Sequence, residues 1–287
     1  MKSLSQNVPL LVIALLAVDG LHFVFARALR PHMHPVASVA LVLAVGTAQI
    51  AAFAASRGQL RLATLRKHIA FFLVVGALVA VSTSINYVAV GFIDPGTASL
   101  LAETSILFGV ALGVWWLRES LTRRQIVGAV VAIVGVIVIT FQPGDYLRIG
   151  ALMVLGSSML YALHAAIVKR YASRIEFLEF FVWRLVLTTA FLVLSAGVQG
   201  QLALPPSPAA WGILIIAGTV DIVISRSFYY LALRRLSVSI HSLILTLSPV
   251  VAILWSLALF GERPEPRALI GGMAVLIGVG IVTYRKL

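Results

Sequence analysis

An all-α membrane protein with ten transmembrane helices, built as two five-helix inverted repeats, is the fold the sequence predicts, and three observations predict it. Hydrophobic residues make up 61% of the chain and charged ones only 11%, with a mean hydropathy of +1.04, so most of the chain is matched to lipid rather than to water. The apolar residues gather into runs of about 20, the length at which a helix crosses roughly 30 Å of hydrocarbon. The second half of the chain also repeats the first at a nearly constant offset.

Composition narrows the function classes further. The net charge of +12 comes from short basic clusters between apolar runs, the pattern of cytoplasmic loop anchors rather than of a nucleic-acid surface. The absence of cysteine excludes a disulfide framework, thiolate metal sites and a cysteine nucleophile. Met1-Lys2 and the apolar run from Val8 look like a signal peptide, but Asp19 and His22 interrupt the run and no small-x-small site ends it. It reads as the first transmembrane helix.

Pro, Gly and basic clusters divide the chain into spans at 9–29, 35–55, 69–90, 95–117, 124–141, 149–169, 177–198, 210–231, 237–260 and 267–284. The longest connection, Gln199 to Ala209, contains prolines, and little chain is left for an extramembrane domain. Orientation follows from Lys and Arg, which accumulate in cytoplasmic loops. With the N-terminus inside, fifteen of them fall on the inner side and five, Arg27, Arg30, Arg148, Arg263 and Arg267, on the outer side. Both termini are therefore expected in the cytoplasm.

The repeat is visible in polar residues and glycines. A shift of 143 pairs Tyr87 with Tyr230, Ser99 with Ser242, Ser105 with Ser248, Glu119 with Glu262, Arg124 with Arg267, Gly128 with Gly271 and Gly135 with Gly278. Low-complexity apolar sequence would match Leu, Val and Ala, not Glu, Arg and Gly. At an offset of 142 the first helix meets the sixth, pairing His22 with His164 and Arg27 with Lys169. The expected units are residues 1–143 and 144–287. Five crossings is an odd number, so the second unit enters the membrane from the opposite side. Such halves can exchange two near-equivalent packings around a midplane site, which a carrier uses and an enzyme or anchor does not need.

A Glu closes the fourth helix before Thr, Gln and Gly open the fifth, in the run Glu119-Ser120-Leu121-Thr122-Arg123-Arg124-Gln125-Ile126-Val127-Gly128, and the ninth helix carries Ser248-Pro249 and Glu262. In these residues the chain resembles the drug/metabolite transporter superfamily and its EamA-like repeat, over nearly its whole length. Its length and helix count look most like the YddG-type amino-acid exporters of bacterial inner membranes. Many members carry Ser-Pro in the fourth helix too, where this chain has Ser105-Ile106 and places Glu103 near the middle of the span. The resemblance implies a small-molecule substrate, a bacterial-type inner membrane and no cofactor.

Ionisable groups at membrane depth cost at least about 2.5 kcal/mol on insertion scales, so they are expected to face a cavity or a partner. Asp19, Glu103, Arg184, Asp221 and Arg226 fall within the spans. Polar positions that recur in both halves point to the cavity: His22 with His164, Ser82 and Asn86 with Ser225 and Tyr229, Ser99 and Glu103 with Ser242 and Thr246. The candidate substrate-binding set is His22, Asn86, Glu103, His164, Trp183, Tyr229 and Thr246, lining a hollow between helices one, three, four, six, eight and nine. For the serines, Asn86 and His22 the competing use is helix-to-helix hydrogen bonding; for Trp183 and Tyr161 it is interfacial anchoring. Arg184, Asp221 and Arg226 are expected to neutralise one another. The glycine pairs Gly128/Gly135 and Gly271/Gly278 are read as close-packing faces, and Glu119 and Glu262 as helix terminators. No metal-ligand cluster, nucleophile triad or nucleotide loop stands in a supporting context.

The expected activity is export of small amphipathic metabolites, amino acids foremost, by alternating access. Drug or organic-cation efflux is the alternative, and a lipid-modifying enzyme a distant one. A monomer is compatible with these features, and no nucleic-acid partner is expected.

Overall fold

The computed structural model describes residues 8–116, 122–140, 145–172, 175–233, 245 and 247–283. Every regular element among them is helical. In chain order they are α1 (Val8–Asp19), α2 (Leu21–Leu29), α3 (Pro35–Ser56), α4 (Leu62–Lys67), α5 (Ile69–Ala89), α6 (Pro95–Ala102), α7 (Thr104–Trp115), α8 (Arg123–Thr140), α9 (Asp145–Tyr171), α10 (Phe177–Val198), α11 (Pro208–Ala217), a π-helical segment (Gly218–Ile224), α12 (Ser225–Leu233), α13 (Ser248–Phe260) and α14 (Pro266–Thr283).

Helix starts follow local chemistry. Pro at the first turn, preceded by a capping side chain, opens three of them: His34 before α3, Asp94 before α6 and Ser207 before α11. Asp94 accepts from the Thr97 backbone N–H at 2.9 Å. A reciprocal capping box opens α8, where the Thr122 N–H donates to Gln125 Oε1 at 2.9 Å and the Gln125 N–H donates back to Thr122 Oγ1 at 3.3 Å. Gly261, at φ +67°, closes α13 in the left-handed conformation that favours glycine.

Among the described residues seven helical stretches are long and apolar enough to cross a membrane: Pro9–Leu29, Pro35–Ser56, Ile69–Ala89, Pro95–Trp115, Ile149–Tyr171, Phe177–Val198 and Pro208–Tyr229. α8 and the shorter apolar helices Ser248–Phe260 and Pro266–Val282 overlap the remaining expected spans, of which residues 237–244 and 246 lie outside the described residues. Three stretches expected to be continuous are not regular. Gly20 interrupts the first, Glu103 interrupts the fourth, and the π segment widens the eighth. Gly20 stands where a Cβ would meet the Ser248 carbonyl oxygen at 2.7 Å, so the α1–α2 break is where the start of α13 approaches.

Packing is mostly between early and late helices. α8 lies along α14, α5 against α9 and α10, α3 against α10 and the π segment, α6 against α13, and α1 against α12. The α8–α14 seam is backbone to backbone: a Cβ on Gly128 would meet the Gly278 carbonyl at 2.6 Å, and one on Gly135 would meet that of Gly271 at 2.5 Å. Outward faces are apolar, as on α8 with its exposed Ile126, Val130, Ile133 and Ile137. Buried serines, threonines and Asp221 lie inside, the reverse of a water-soluble domain.

Ion pairs tie the helix ends. Arg27 at the end of α2 donates through Nε to Glu262 Oε1 at 2.9 Å and through Nη1 to the Val90 carbonyl at 3.1 Å. At the far end of the 22-residue α3, Arg61 Nε lies 3.6 Å from Glu179 Oε1 and the Thr64 hydroxyl donates to Glu179 Oε2 at 2.8 Å.

Candidate functional site

The irregular helix segments meet at one place. A cavity of about 240 Å³ opens among Asp19, Gly20 and His22 of the α1–α2 break, Ser82 and Asn86 of α5, Ser99, Glu103 and Ser105 around the α6–α7 break, Ser157, Ser158 and Tyr161 of α9, Phe181 and Arg184 of α10, Asp221 and Arg226 of the eighth stretch, and Ser248 at the start of α13. Breaks free the chain to turn polar groups inward, and irregular backbone at membrane depth belongs where it lines a cavity.

Its charges are mixed. Asp19 accepts from the Ser248 hydroxyl at 2.7 Å and from the Ser225 hydroxyl at 3.3 Å, joining the first, eighth and ninth expected spans. His22 Nδ1 lies 2.9 Å from Asp221 Oδ2, with the Asp221 side chain only 3% exposed. The Arg184 guanidinium stands 5.5 Å over the Phe181 ring. Among the described residues three carboxyl side chains and two guanidiniums therefore share one small volume.

Of the candidates read from sequence, His22, Asn86 and Glu103 are on the cavity wall, as are Arg184, Asp221 and Arg226. Within that charged trio Asp221 is held by His22, a partner the expectation of mutual neutralisation left out. His164 is buried behind the wall, its ring 5.3 Å from that of Tyr161. Trp183 packs instead into a separate apolar cluster with Phe72, Val75 and Phe180, and its Nε1 donates to the Arg61 carbonyl at 3.3 Å. Tyr229 packs against Leu11, Leu15 and Ala232. Thr246, Ser242 and Glu119 lie outside the described residues. The seventh expected span, left out of the expected wall, contributes Phe181, Arg184 and Leu185.

Ser157 and Ser158 were missed because recurrence between halves was the guide, and at an offset of 142 they face Leu15 and Leu16. Ser157 and Ser82 form a clasp, their hydroxyl oxygens 2.8 Å apart and each within hydrogen-bond reach of the other's carbonyl. Among the described residues no group of three His, Asp or Glu side chains is placed to hold a metal ion.

Fold and cavity define a multi-pass helical membrane protein with a polar chamber inside its bundle. The model of the EamA-like transporter family matches residues 7–141 and again residues 148–284, and the chain belongs to that family. It is 32% identical over 198 residues to a probable terminal-alkyne amino-acid exporter of Streptantibioticus cattleyicolor, covering 68% of this chain and 66% of that protein. It is 28% identical over 200 residues to the uncharacterized transporter YdfC of Bacillus subtilis, covering 68% and 64%. In both cases the chain spans just under two thirds of the relative's length. A third relative, the uncharacterized transporter YyaM of the same organism, is 20% identical over 283 residues, 95% of this chain and 92% of that one. A crystal structure 17% identical in sequence superposes with a TM-score of 0.68 over 96% of each chain, a likeness of fold.

Proposed function

We propose that the protein exports small amphipathic metabolites, amino acids with neutral or aromatic side chains foremost, by alternating access across a bacterial-type inner membrane. The observation that carries this reading is the mixed-charge cavity between the spans. A zwitterion's ammonium has Glu103 and Asp19 as acceptors, and its carboxylate has Arg184 and Arg226 as donors, with Asn86 beside them. Size favours an amino acid over a drug, because about 240 Å³ is less than the roughly 300–1,000 Å³ typical of drug-sized ligands. The relative described as a probable amino-acid exporter supports the same choice. One chain supplies the whole cavity, so a monomer suffices.

In this reading the halves 1–143 and 144–287 each cross the bilayer five times, in opposite senses, with both termini in the cytoplasm. Two stretches matching one family model support it, and so does the packing. The Gly128–Gly278 contact becomes Gly271–Gly135 when the halves are exchanged, and both contacts are present.

The second reading, organic-cation efflux, is favoured by one observation: three carboxylates, Asp19, Glu103 and Asp221, outnumber two guanidiniums. Counterflow in proteoliposomes separates the two. Labelled phenylalanine or leucine should exchange and be displaced by other neutral amino acids. Displacement only by amines would move the assignment to cations, and no amino-acid exchange at all would overturn the proposal.

A further inference from the structure

The two halves do not keep one register, and the place where it changes is visible. Thr47 and Thr189, 142 positions apart, touch hydroxyl to hydroxyl at 2.8 Å. At the same offset, a Cβ on Gly76 would meet Leu187 Cβ at 2.9 Å, and one on Gly218 would meet Val45 Cβ at 2.8 Å. From Ser82 and Ser225 onward the offset is 143. The second half is therefore one residue longer than the first between Gly218 and Ser225. That interval is the π segment Gly218–Ile224, while α5 runs regularly through its counterpart. A helix absorbs a single inserted residue by one wide turn, and such turns recur at functional sites.

Asp221 lies in the middle of the wide turn. Its counterpart in the first half is Leu78 or Val79, whichever side of the insertion is counted from, and both are apolar. Asp221 pairs with His22 at 2.9 Å. The counterpart of His22 is His164, which pairs with no carboxylate among the described residues. One half thus carries a histidine–carboxylate couple that the other lacks. His22 is 22% exposed on the cavity wall, so the couple is sealed on its acid side and open on its base side.

We infer that the His22–Asp221 couple is a proton-binding site that exchanges one proton for each solute carried, and that the inserted residue created it. This rests on the transport reading above. Histidine is the side chain whose charge changes most readily near neutral pH. A proton on His22 places a cation in the chamber where the solute's ammonium would sit, so proton and solute exclude one another. The proton taken up from one side leaves to the other when the solute displaces it, and no other atom is transferred. Among the described residues, the groups around the couple are Tyr87 from α5, its ring edge-on at 5.4 Å from His22, and on the same cavity wall Asp19 from α1, Glu103 at the α6–α7 break, Tyr161 from α9, Arg184 from α10 and Arg226 from α12. The neighbouring α3, α11 and α13 contain no titratable side chain.

The test uses the full chain in proteoliposomes, with labelled phenylalanine, the membrane potential clamped and a proton gradient imposed. Wild type should concentrate label about tenfold per pH unit, the ratio set by one proton per zwitterion, and internal pyranine should report matching proton movement. Asp221→Asn, altered on the cavity wall, should exchange label more slowly and bring it only to a ratio of one. His22→Gln, which keeps a hydrogen bond to Asp221 but cannot charge, should also slow exchange and reach only a ratio of one, and the ratio it reaches carries the test alone if the first variant is not recovered folded. Concentration of label by both variants overturns the inference. Wild-type exchange indifferent to the gradient overturns it too while leaving the transport reading intact, and no wild-type exchange removes both.

Discussion

Thr47 Oγ1 on α3 and Thr189 Oγ1 on α10 lie 2.8 Å apart, where the two helices pack. The two residues are counterparts in the proposed repeat, so the contact maps onto itself when the halves are exchanged. It is expected to persist through the transport cycle. In a chain without native cysteine, Thr47→Cys with Thr189→Cys should oxidise to a disulfide, and the crosslinked protein should still exchange amino acids. A crosslink that stops exchange would mean that these helices part. Removing the hydrogen bond alone, by Thr47→Val with Thr189→Val, should cost about 0.6 kcal/mol of coupling in a double-mutant cycle read by unfolding in detergent.

The α8–α14 seam should be far less forgiving. A Cβ at Gly135 meets the Gly271 carbonyl at 2.5 Å, whereas one at Gly156 meets nothing within 4 Å. Gly135→Ala is expected to destabilise by about 1–3 kcal/mol through forced separation of the backbones. Gly156→Ala should be neutral or stabilising by up to about 1 kcal/mol, since alanine is the better helix former. Thermal unfolding of both variants in detergent checks the contrast.

Accessibility to thiol reagents should trace the cavity. Asn86→Cys and Ser105→Cys lie on its wall and should be labelled by a water-soluble maleimide. Thr188 and Ser256 are fully buried outside it, and cysteines there should stay unlabelled until the protein unfolds. Equal labelling of all four would mean that the chamber is not the water-reached space.

Trp183 should matter to stability and little to transport. It is 6% exposed and packs with Phe72 and Phe180, so Trp183→Ala is expected to cost about 3–5 kcal/mol. Trp183→Phe, which keeps the ring and loses the bond to the Arg61 carbonyl, should slow exchange by no more than about twofold. A large loss of exchange in a stable Trp183→Phe would return this residue to the substrate path.

How legible this was in the sequence depended on what kind of signal each feature left. Spans were plain because hydrocarbon thickness imposes run length, and helix starts such as Asp94-Pro95 announce themselves through capping chemistry. Intramembrane charge found Asp19, Glu103, Asp221, Arg184 and Arg226 for the wall, because desolvation leaves them few other places. Recurrence between halves was a weaker guide. It named Tyr229, which packs against α1, and passed over Ser157 and Ser158, whose counterparts are leucines. The breaks at Gly20 and Glu103 have no proline to mark them, and the wide turn shows only as an offset moving from 142 to 143, a change that looks like alignment noise until Asp221 is seen against His22.

The glycine seam has a mechanical consequence. Like the Thr47–Thr189 contact, the α8–α14 crossing is its own image when the proposed halves trade places, and its carbonyls sit where any bulk would collide. In the transport reading proposed above, two self-imaged contacts set a line, and a line held at two points serves as a pivot about which the halves would rock while the seam stays shut. A compound that wedged between α8 and α14 would then arrest the carrier without ever touching the chamber.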